Sequence, residues 1–111
     1  AFVLMNGPQF IEAGRVTAEK LIQLHGDDTT AILVDAFRKT TSRKPSPAQL
    51  DTLRTLYQAQ LAYFTQHDDR TSQFLAIGDA EIDEEMNRAT LAATSVVVGT
   101  LMNFDLSVMK R

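Results

Sequence analysis

The stretch at residues 91–104 constrains the fold more than any other part of this sequence. Apolar residues point in nearly every direction around a helix drawn through it. A helix with this pattern is typical of the centre of a bundle, where neighbouring helices cover all of its faces. The triplet Val96-Val97-Val98 leaves a buried strand open as an alternative, because β-branched residues favour extended backbone.

The rest of the chain predicts four further helices. Apolar residues recur at intervals of three and four, and glycines and prolines stand between the periodic segments. The predicted helices cover residues 8–24, 30–41, 47–66 and 69–77, followed by the apolar helix at 86–104. We therefore expect an all-α, single-domain bundle of about five helices with the apolar C-terminal helix at its centre.

Helix boundaries and helix faces are also visible in local patterns. Ser46 can cap the third helix, Pro47 suits its first position, and Gln49 can complete a capping box. Gly14 lies on the apolar side of the first helix, where it would permit close approach of a neighbour. Arg15 is assigned to the polar side of the same helix.

Composition and charge exclude several classes of function. The 111 residues are the size of one domain, and the lack of cysteine excludes disulfides, zinc–thiolate sites and covalent haem attachment within this chain. A net charge of -3 argues against a nucleic-acid partner, because such binding requires clustered lysines and arginines. The apolar stretch is shorter than the roughly 20 residues that cross a bilayer, so no membrane span is predicted.

The start of the chain is apolar and lacks an initiator methionine. Its residues do not have the pattern of a secretory leader. We therefore expect residues 1–111 to form the C-terminal part of a longer protein. An apolar strip near the start is expected to pack against another domain of that protein or a second copy of this one: Phe2, Val3, Leu4 and Met5.

Each of the two histidines is followed by acidic residues. His25 and His67, together with Asp105, could bind a divalent metal in the manner of HD-type phosphohydrolases if the ends of the first and third helices meet. The favoured interpretation is simpler: each histidine interacts with a helix C-terminus and faces solvent. We accordingly predict no metal site here.

Other chemistry-bearing patterns are weak. The acidic run at residues 79–85 lacks the spacing of a calcium-binding EF-hand loop and is interpreted as an exposed loop. The methionines are interpreted as core residues rather than haem ligands. No nucleophile or phosphate-loop motif is present. The sequence therefore predicts neither a catalytic residue nor a cofactor in this chain.

Several short blocks resemble a known family. They are Leu4 to Ala13, Asp35-Ala36-Phe37-Arg38, Thr41-Ser42-Arg43-Lys44-Pro45, and Leu91 to Asp105, which ends in Leu101-Met102-Asn103-Phe104-Asp105. Their order and spacing resemble the C-terminal domain of unknown function in planctomycete-type secreted proteins, many of which carry a cytochrome-c-like domain nearer the N-terminus. The resemblance implies an exported, periplasmic or cell-surface protein, with haem c bound, if at all, by another domain.

The polar residues of these blocks have two interpretations. In the first, Arg38 pairs with Asp35 or Asp105 or caps carbonyl groups at the end of another helix. Asn103 and Asp105 then bind backbone groups of the preceding turn or of Asn6-Gly7. In the second, Asn6, Arg38, Asn103 and Asp105 form an interaction surface. The predicted function is a non-catalytic structural or interaction module. The alternative is a domain that contributes part of the active site of a haem-dependent redox or polysaccharide-processing enzyme.

Overall fold

The computed structural model describes residues 8–77 and 85–109, with side chains described for residues 11–77 and 85–103. Its helices are α1 (Pro8–His25), α2 (Thr29–Thr41), α3 (Pro47–Gln66), α4 (Asp68–Leu75) and α5 (Arg88–Met109). Most of the described residues are helical, and no strand occurs within the described ranges. The predicted all-α bundle of five helices is confirmed.

Helix α5 occupies the centre of the bundle. It contacts each of the other four helices. Five consecutive residues of α5, from Leu91 to Ser95, are buried, so the helix is covered on all sides at this level. The position predicted for the apolar helix is confirmed, and the strand alternative for the Val96 triplet is wrong because packing on every side favours the helix.

The start of α5 is set by Asn87, one residue before the helix. Its side-chain Oδ1 accepts a hydrogen bond of 2.9 Å from the backbone N–H of Thr90. Its carbonyl oxygen accepts another of 3.0 Å from the N–H of Leu91. This cap places the first helical residue at 88 rather than the predicted 86, because Asn87 satisfies donors that the first turn leaves without a helical partner.

Helices α1 and α5 approach closely at Gly14. A Cβ atom placed on Gly14 would lie 3.3 Å from the carbonyl oxygen of Ser95 and 3.5 Å from the backbone nitrogen of Gly99. A side chain at this position would therefore press against the backbone of α5. The close approach expected at this glycine is confirmed.

The capping box of α3 is formed as predicted. The backbone N–H of Ser46 donates to Oε1 of Gln49 at 2.9 Å, and the N–H of Gln49 donates to Oγ of Ser46 at 3.1 Å. Leu53, Tyr57 and Phe64 then point into the core at helical spacing. Local sequence thus fixes where α3 begins and which face it buries.

Arg15 does not lie on a polar face. It is completely buried, so its predicted placement is wrong. The reason is its position in α1: it lies four residues after Ile11 and three before Ala18, within the stripe that faces the core. The width of the buried stripe is therefore greater than the apolar residues alone indicate.

Some sequence predictions fall outside the described residues. The apolar strip Phe2, Val3, Leu4 and Met5 is among these, as are Asn6 and nearly all of the acidic run. Asp105 belongs to α5, but its side chain is outside the described part. None of the described helices is long and apolar enough to cross a membrane.

Candidate functional site

Arg38 and Asn103 are the two predicted surface residues whose side chains are described. Arg38 is exposed on α2, and Asn103 is partly buried on α5. The Oδ1 atom of Asn103 is buried and has no hydrogen-bond partner in the described structure. The structure does not show these residues joined in one site, and the other two members, Asn6 and Asp105, have no described side chains.

Of the partners expected for Arg38, Asp35 does not form an ion pair with it, and the side chain of Asp105 is outside the described part. Oδ2 of Asp35 instead lies 2.8 Å from Nε2 of His25 and 3.6 Å from Nζ of Lys39. Lys39 is one helical turn after Asp35, the spacing at which oppositely charged side chains on a helix can meet. The guanidinium of Arg38 has no ion pair with any described residue. Arg38 is therefore a solvent-facing cation.

Arg38 belongs to a cluster that we call the basic end. It consists of Arg38, Lys39, Arg43 and Lys44, all of them exposed. No acidic residue occurs between positions 36 and 50, so the cluster carries a local positive charge on a chain whose net charge is -3. Cations at the C-terminus of α2 also interact favourably with the helix dipole.

The backbone around the basic end is held in place by local contacts. Ser42 adopts a left-handed conformation with φ of 62°, and its N–H donates to the carbonyl oxygen of Arg38 at 2.8 Å. The Thr41 hydroxyl donates to the carbonyl oxygen of Phe37 at 2.7 Å. The capping box at Ser46 follows directly. The four cations are therefore presented by the last turn of α2 and by the ordered segment that follows it.

His25 lies between two helices rather than facing solvent. Its side chain is 23% exposed, and its Nε2 atom donates to Asp35 across the interface of α1 and α2. This hydrogen bond is the main cause that lowers the pKa of Asp35 below the ordinary 3.8; partial burial opposes the shift, and the charge of Lys39 adds to it. The expectation of a solvent-facing His25 is wrong because Asp35 offers it a partner.

His67 matches the expectation of a helix-end residue. It is exposed, and its Nδ1 atom lies 2.8 Å from the carbonyl oxygen of Tyr63 in the last turn of α3. Its ring stacks on that of Tyr63 with 4.4 Å between centroids. Among the described side chains, no group of three or more metal-ligating residues brings the two histidines together. The predicted absence of a metal or cofactor stays a prediction.

A feature that the sequence analysis missed is a cleft beside the N-terminus of α5, which we call the α5 cleft. It has a volume of about 360 Å³ and lies between the end of α1, the start of α2, the middle of α3 and the start of α5. The described residues that line it are Ile22, Gln23, Gly26, Asp27, Thr29, Ile32, Tyr57, Glu85, Met86, Asn87 and Thr90. None of them is a lysine or an arginine.

Three residues that line the α5 cleft carry a hydroxyl group: Thr29, Tyr57 and Thr90. Thr94, deeper in α5, donates to the carbonyl oxygen four residues earlier at 2.8 Å. Thr29 and Thr90 stand in the first turns of α2 and α5, where the helix supplies no such carbonyl. Tyr57 is 8% exposed as a whole residue, but its hydroxyl oxygen is not among the buried side-chain atoms that lack a partner in the described structure.

A second, more open cleft of about 630 Å³ lies between α3, α4 and α5. It shares Met86, Asn87 and Thr90 with the first. On its border, the Arg88 guanidinium donates to the hydroxyl of Ser72 and so links α5 to α4. Neither cleft is lined by Arg38 or Asn103.

No protein family matches this chain, and no curated protein or solved structure is similar to it.

Proposed function

We propose that this chain is a non-catalytic interaction module that binds an acidic protein surface through the basic end. The observation that carries the proposal is the state of the four cations: all are exposed, and only Lys39 has an ion pair with a described residue. The acidic surface belongs to another domain of the same protein or to a separate partner.

The charge of the cluster supports this proposal. Positive side chains that are not matched by nearby acids attract an acidic surface from a distance and fix its orientation on contact. A cluster paired with its own acids would have little such effect. Here the nearest acidic residue on α2, Asp35, is already bonded to His25 and Lys39.

The rigidity of the surrounding elements also supports it. Helix α2 is joined to α1 by the bond between His25 and Asp35, and to α3 by the bond of 2.8 Å from Arg54 to the hydroxyl of Thr30. Binding to a surface that is already ordered requires less loss of conformational entropy than binding to a loop. The basic end is thus suited to docking without rearrangement.

The wider setting is part of the proposal. An exported bacterial protein with haem c in another domain is favoured by the family resemblance alone. In that setting, the strip Phe2, Val3, Leu4 and Met5 provides apolar contact with a neighbouring domain or a second copy. The alternative, a contribution to an active site, requires a cleft lined by residues of the recurring blocks, and the two clefts above have other linings.

Charge reversal tests the proposal. A fluorescently labelled glutamate decapeptide serves as the acidic probe, and its binding is followed by fluorescence anisotropy at low and physiological salt. The double variant Arg38→Glu/Arg43→Glu should weaken binding at least about tenfold at low salt. The matched control is Lys20→Glu together with Arg70→Glu, which makes the same change of charge at exposed positions elsewhere.

The two variants separate a local surface from a general charge effect. If the control variant weakens binding of the peptide as much as the basic-end variant does, the basic end has no special role. Crosslinking in the full-length parent protein provides the second readout. Crosslinks from Lys39 and Lys44 should reach an acidic surface. If these crosslinks are absent and crosslinks from Lys20 are found instead, the proposal is contradicted.

A further inference from the structure

The side of α3 that faces away from the core carries no charge. The exposed residues directly opposite its buried side are Ala48, Thr52, Thr55, Ala59, Ala62 and Gln66. We call these six residues the α3 face. Residues 55–66 include no acidic or basic side chain, although 23% of the chain is charged. Depletion of charged residues distinguishes the centre of a protein interface from the rest of a surface.

The α3 face can be covered without loss of hydrogen bonds. The hydroxyl of Thr52 donates to the carbonyl oxygen of Ala48, and that of Thr55 donates to the carbonyl oxygen of Asp51, both at 3.0 Å. These hydroxyls keep their acceptors when another surface lies over them, so no buried donor is left unpaired. Beside the face, Tyr63 is 42% exposed, and tyrosine is enriched in protein interfaces.

The spacing of the α3 face fits a second copy of the same helix. Its intervals alternate between four and three residues, the average of about 3.5 at which two helices pack along one seam. The series also reads the same in both directions, so an antiparallel copy brings every member opposite another member. The opposed pairs are Ala48 with Gln66, Thr52 with Ala62, and Thr55 with Ala59. A closed pair with two-fold symmetry is the commonest homo-oligomer.

Charges at the two ends of α3 favour the same antiparallel arrangement. Arg43 and Lys44 precede the helix and belong to the basic end. Asp68 and Asp69 follow the helix, and Arg70 offsets only one of their charges. Antiparallel copies place the start of each α3 beside the end of the other, so opposite charges meet twice. A parallel pair would bring like charges together.

We propose that two copies of this chain associate through the α3 face as an antiparallel pair. The basic end of each copy then lies against the acidic residues that follow α3 in the other. The inference rests on the proposed function for the role of the basic end, and it identifies the acidic surface as that of a second copy. The contact is confined to one helix of about 30 Å, which is small beside the roughly 1,200–2,000 Å² of a stable interface. We therefore expect a dissociation constant in the micromolar range.

Sedimentation velocity of the whole chain from about 5 to about 500 μM tests the association. Ala59→Glu places a charge near the centre of the pair and should weaken association at least about tenfold. Gln73→Glu adds the same charge at an exposed position of α4 and should have no effect. Monomers at every concentration overturn the proposal and leave the face to a different chain. Equal weakening by the two variants also overturns it.

A charge exchange tests the contact between the ends. Lys44→Glu and Asp69→Lys should each weaken association at low salt, because each brings like charges together. An equimolar mixture of the two variants should associate about as tightly as the wild type, since opposite charges then face each other at both ends. A mixture no tighter than either variant alone overturns the contact. Circular dichroism of each variant excludes unfolding as the cause.

Cysteine variants test the orientation, because the chain has no cysteine of its own. Thr52→Cys and Ala62→Cys lie opposite each other only in an antiparallel pair. A mixture of the two should form disulfide-linked dimers at least about tenfold faster than either variant alone. Faster linkage of either variant by itself indicates parallel helices and overturns the proposal.

The outcome also separates this inference from the proposed function. Ala59→Glu keeps all four cations of the basic end, so it should still bind the glutamate decapeptide. A monomeric wild type that binds the peptide contradicts the pairing alone. A wild type that pairs but does not bind the peptide contradicts the proposed function and, with it, the role of the basic end in the pair.

Discussion

Two glycines that lie near each other on α1 and α5 should respond in opposite directions to replacement by alanine. A Cβ atom on Gly99 would have no neighbour within 4 Å, whereas one on Gly14 would lie 3.3 Å from the carbonyl oxygen of Ser95. Alanine is better than glycine within a helix by about 1 kcal/mol, because it loses less conformational entropy on folding. Gly99→Ala should therefore raise the free energy of unfolding by about 1 kcal/mol.

Gly14→Ala gains the same helix propensity but must relieve a tight contact. The oxygen of Ser95 belongs to the backbone of the central helix, so relief requires α1 and α5 to move apart by a few tenths of an ångström. Overpacking of this kind costs about 1–3 kcal/mol, so the net change should be a loss of about 1 kcal/mol. Gly14→Val adds further atoms and a poorer helix propensity, and should lose about 3 kcal/mol.

Urea unfolding followed by far-ultraviolet circular dichroism measures these changes, and thermal unfolding provides a second estimate. The expected order of stability is Gly99→Ala, wild type, Gly14→Ala and then Gly14→Val. If Gly14→Ala is as stable as Gly99→Ala, the two helices are not in close contact at Gly14. If Gly99→Ala is destabilised, the open space beside it is not present in solution.

Two further predictions concern contacts of α2 and α3. Because the bond from His25 lowers the pKa of Asp35, the carboxylate should add stability above its ordinary pKa of 3.8 and lose that contribution as the pH falls through the lowered value. Asp35→Asn should thus be less stable than wild type near neutral pH, with a difference that shrinks in acid; a difference independent of pH would contradict the reasoning. Ser46→Ala should lower the free energy of unfolding by about 1 kcal/mol, because the N–H of Gln49 loses its acceptor. Thr52→Ala, at an exposed position of α3, is the control, and an equal loss there would show that the cap contributes nothing particular.

The features predicted well from the sequence depend on neighbours along the chain. The cap at Ser46 involves residues three positions apart, and the helical intervals of apolar residues identify the buried face of α3. The central position of α5 also follows from a local property: a helix with apolar residues on all of its faces must be packed against other helices on every side. The helices could therefore be located to within a few residues.

The features predicted poorly depend on which helices meet. His25 and Asp35 are ten positions apart and pair only because α1 and α2 pack together. Arg15 is buried because the face of α1 toward the core is wide. The width of that face is hard to see in the sequence, because arginine is usually assigned to a polar face. The α5 cleft assembles residues from four helices, and none of its members forms a recognisable motif. No spacing in the sequence could have indicated it.

The central position of α5 has a consequence for synthesis of the chain. The ribosome synthesises α1 to α4 first, yet each of them packs against α5. Gly14 and Ser95, for example, lie close together in the fold but far apart in the sequence. At a synthesis rate of roughly 5–20 residues per second, the early helices exist for several seconds without the central helix against which they pack. Their apolar faces are then open to chaperones and to other nascent chains, and the core forms only when α5 emerges.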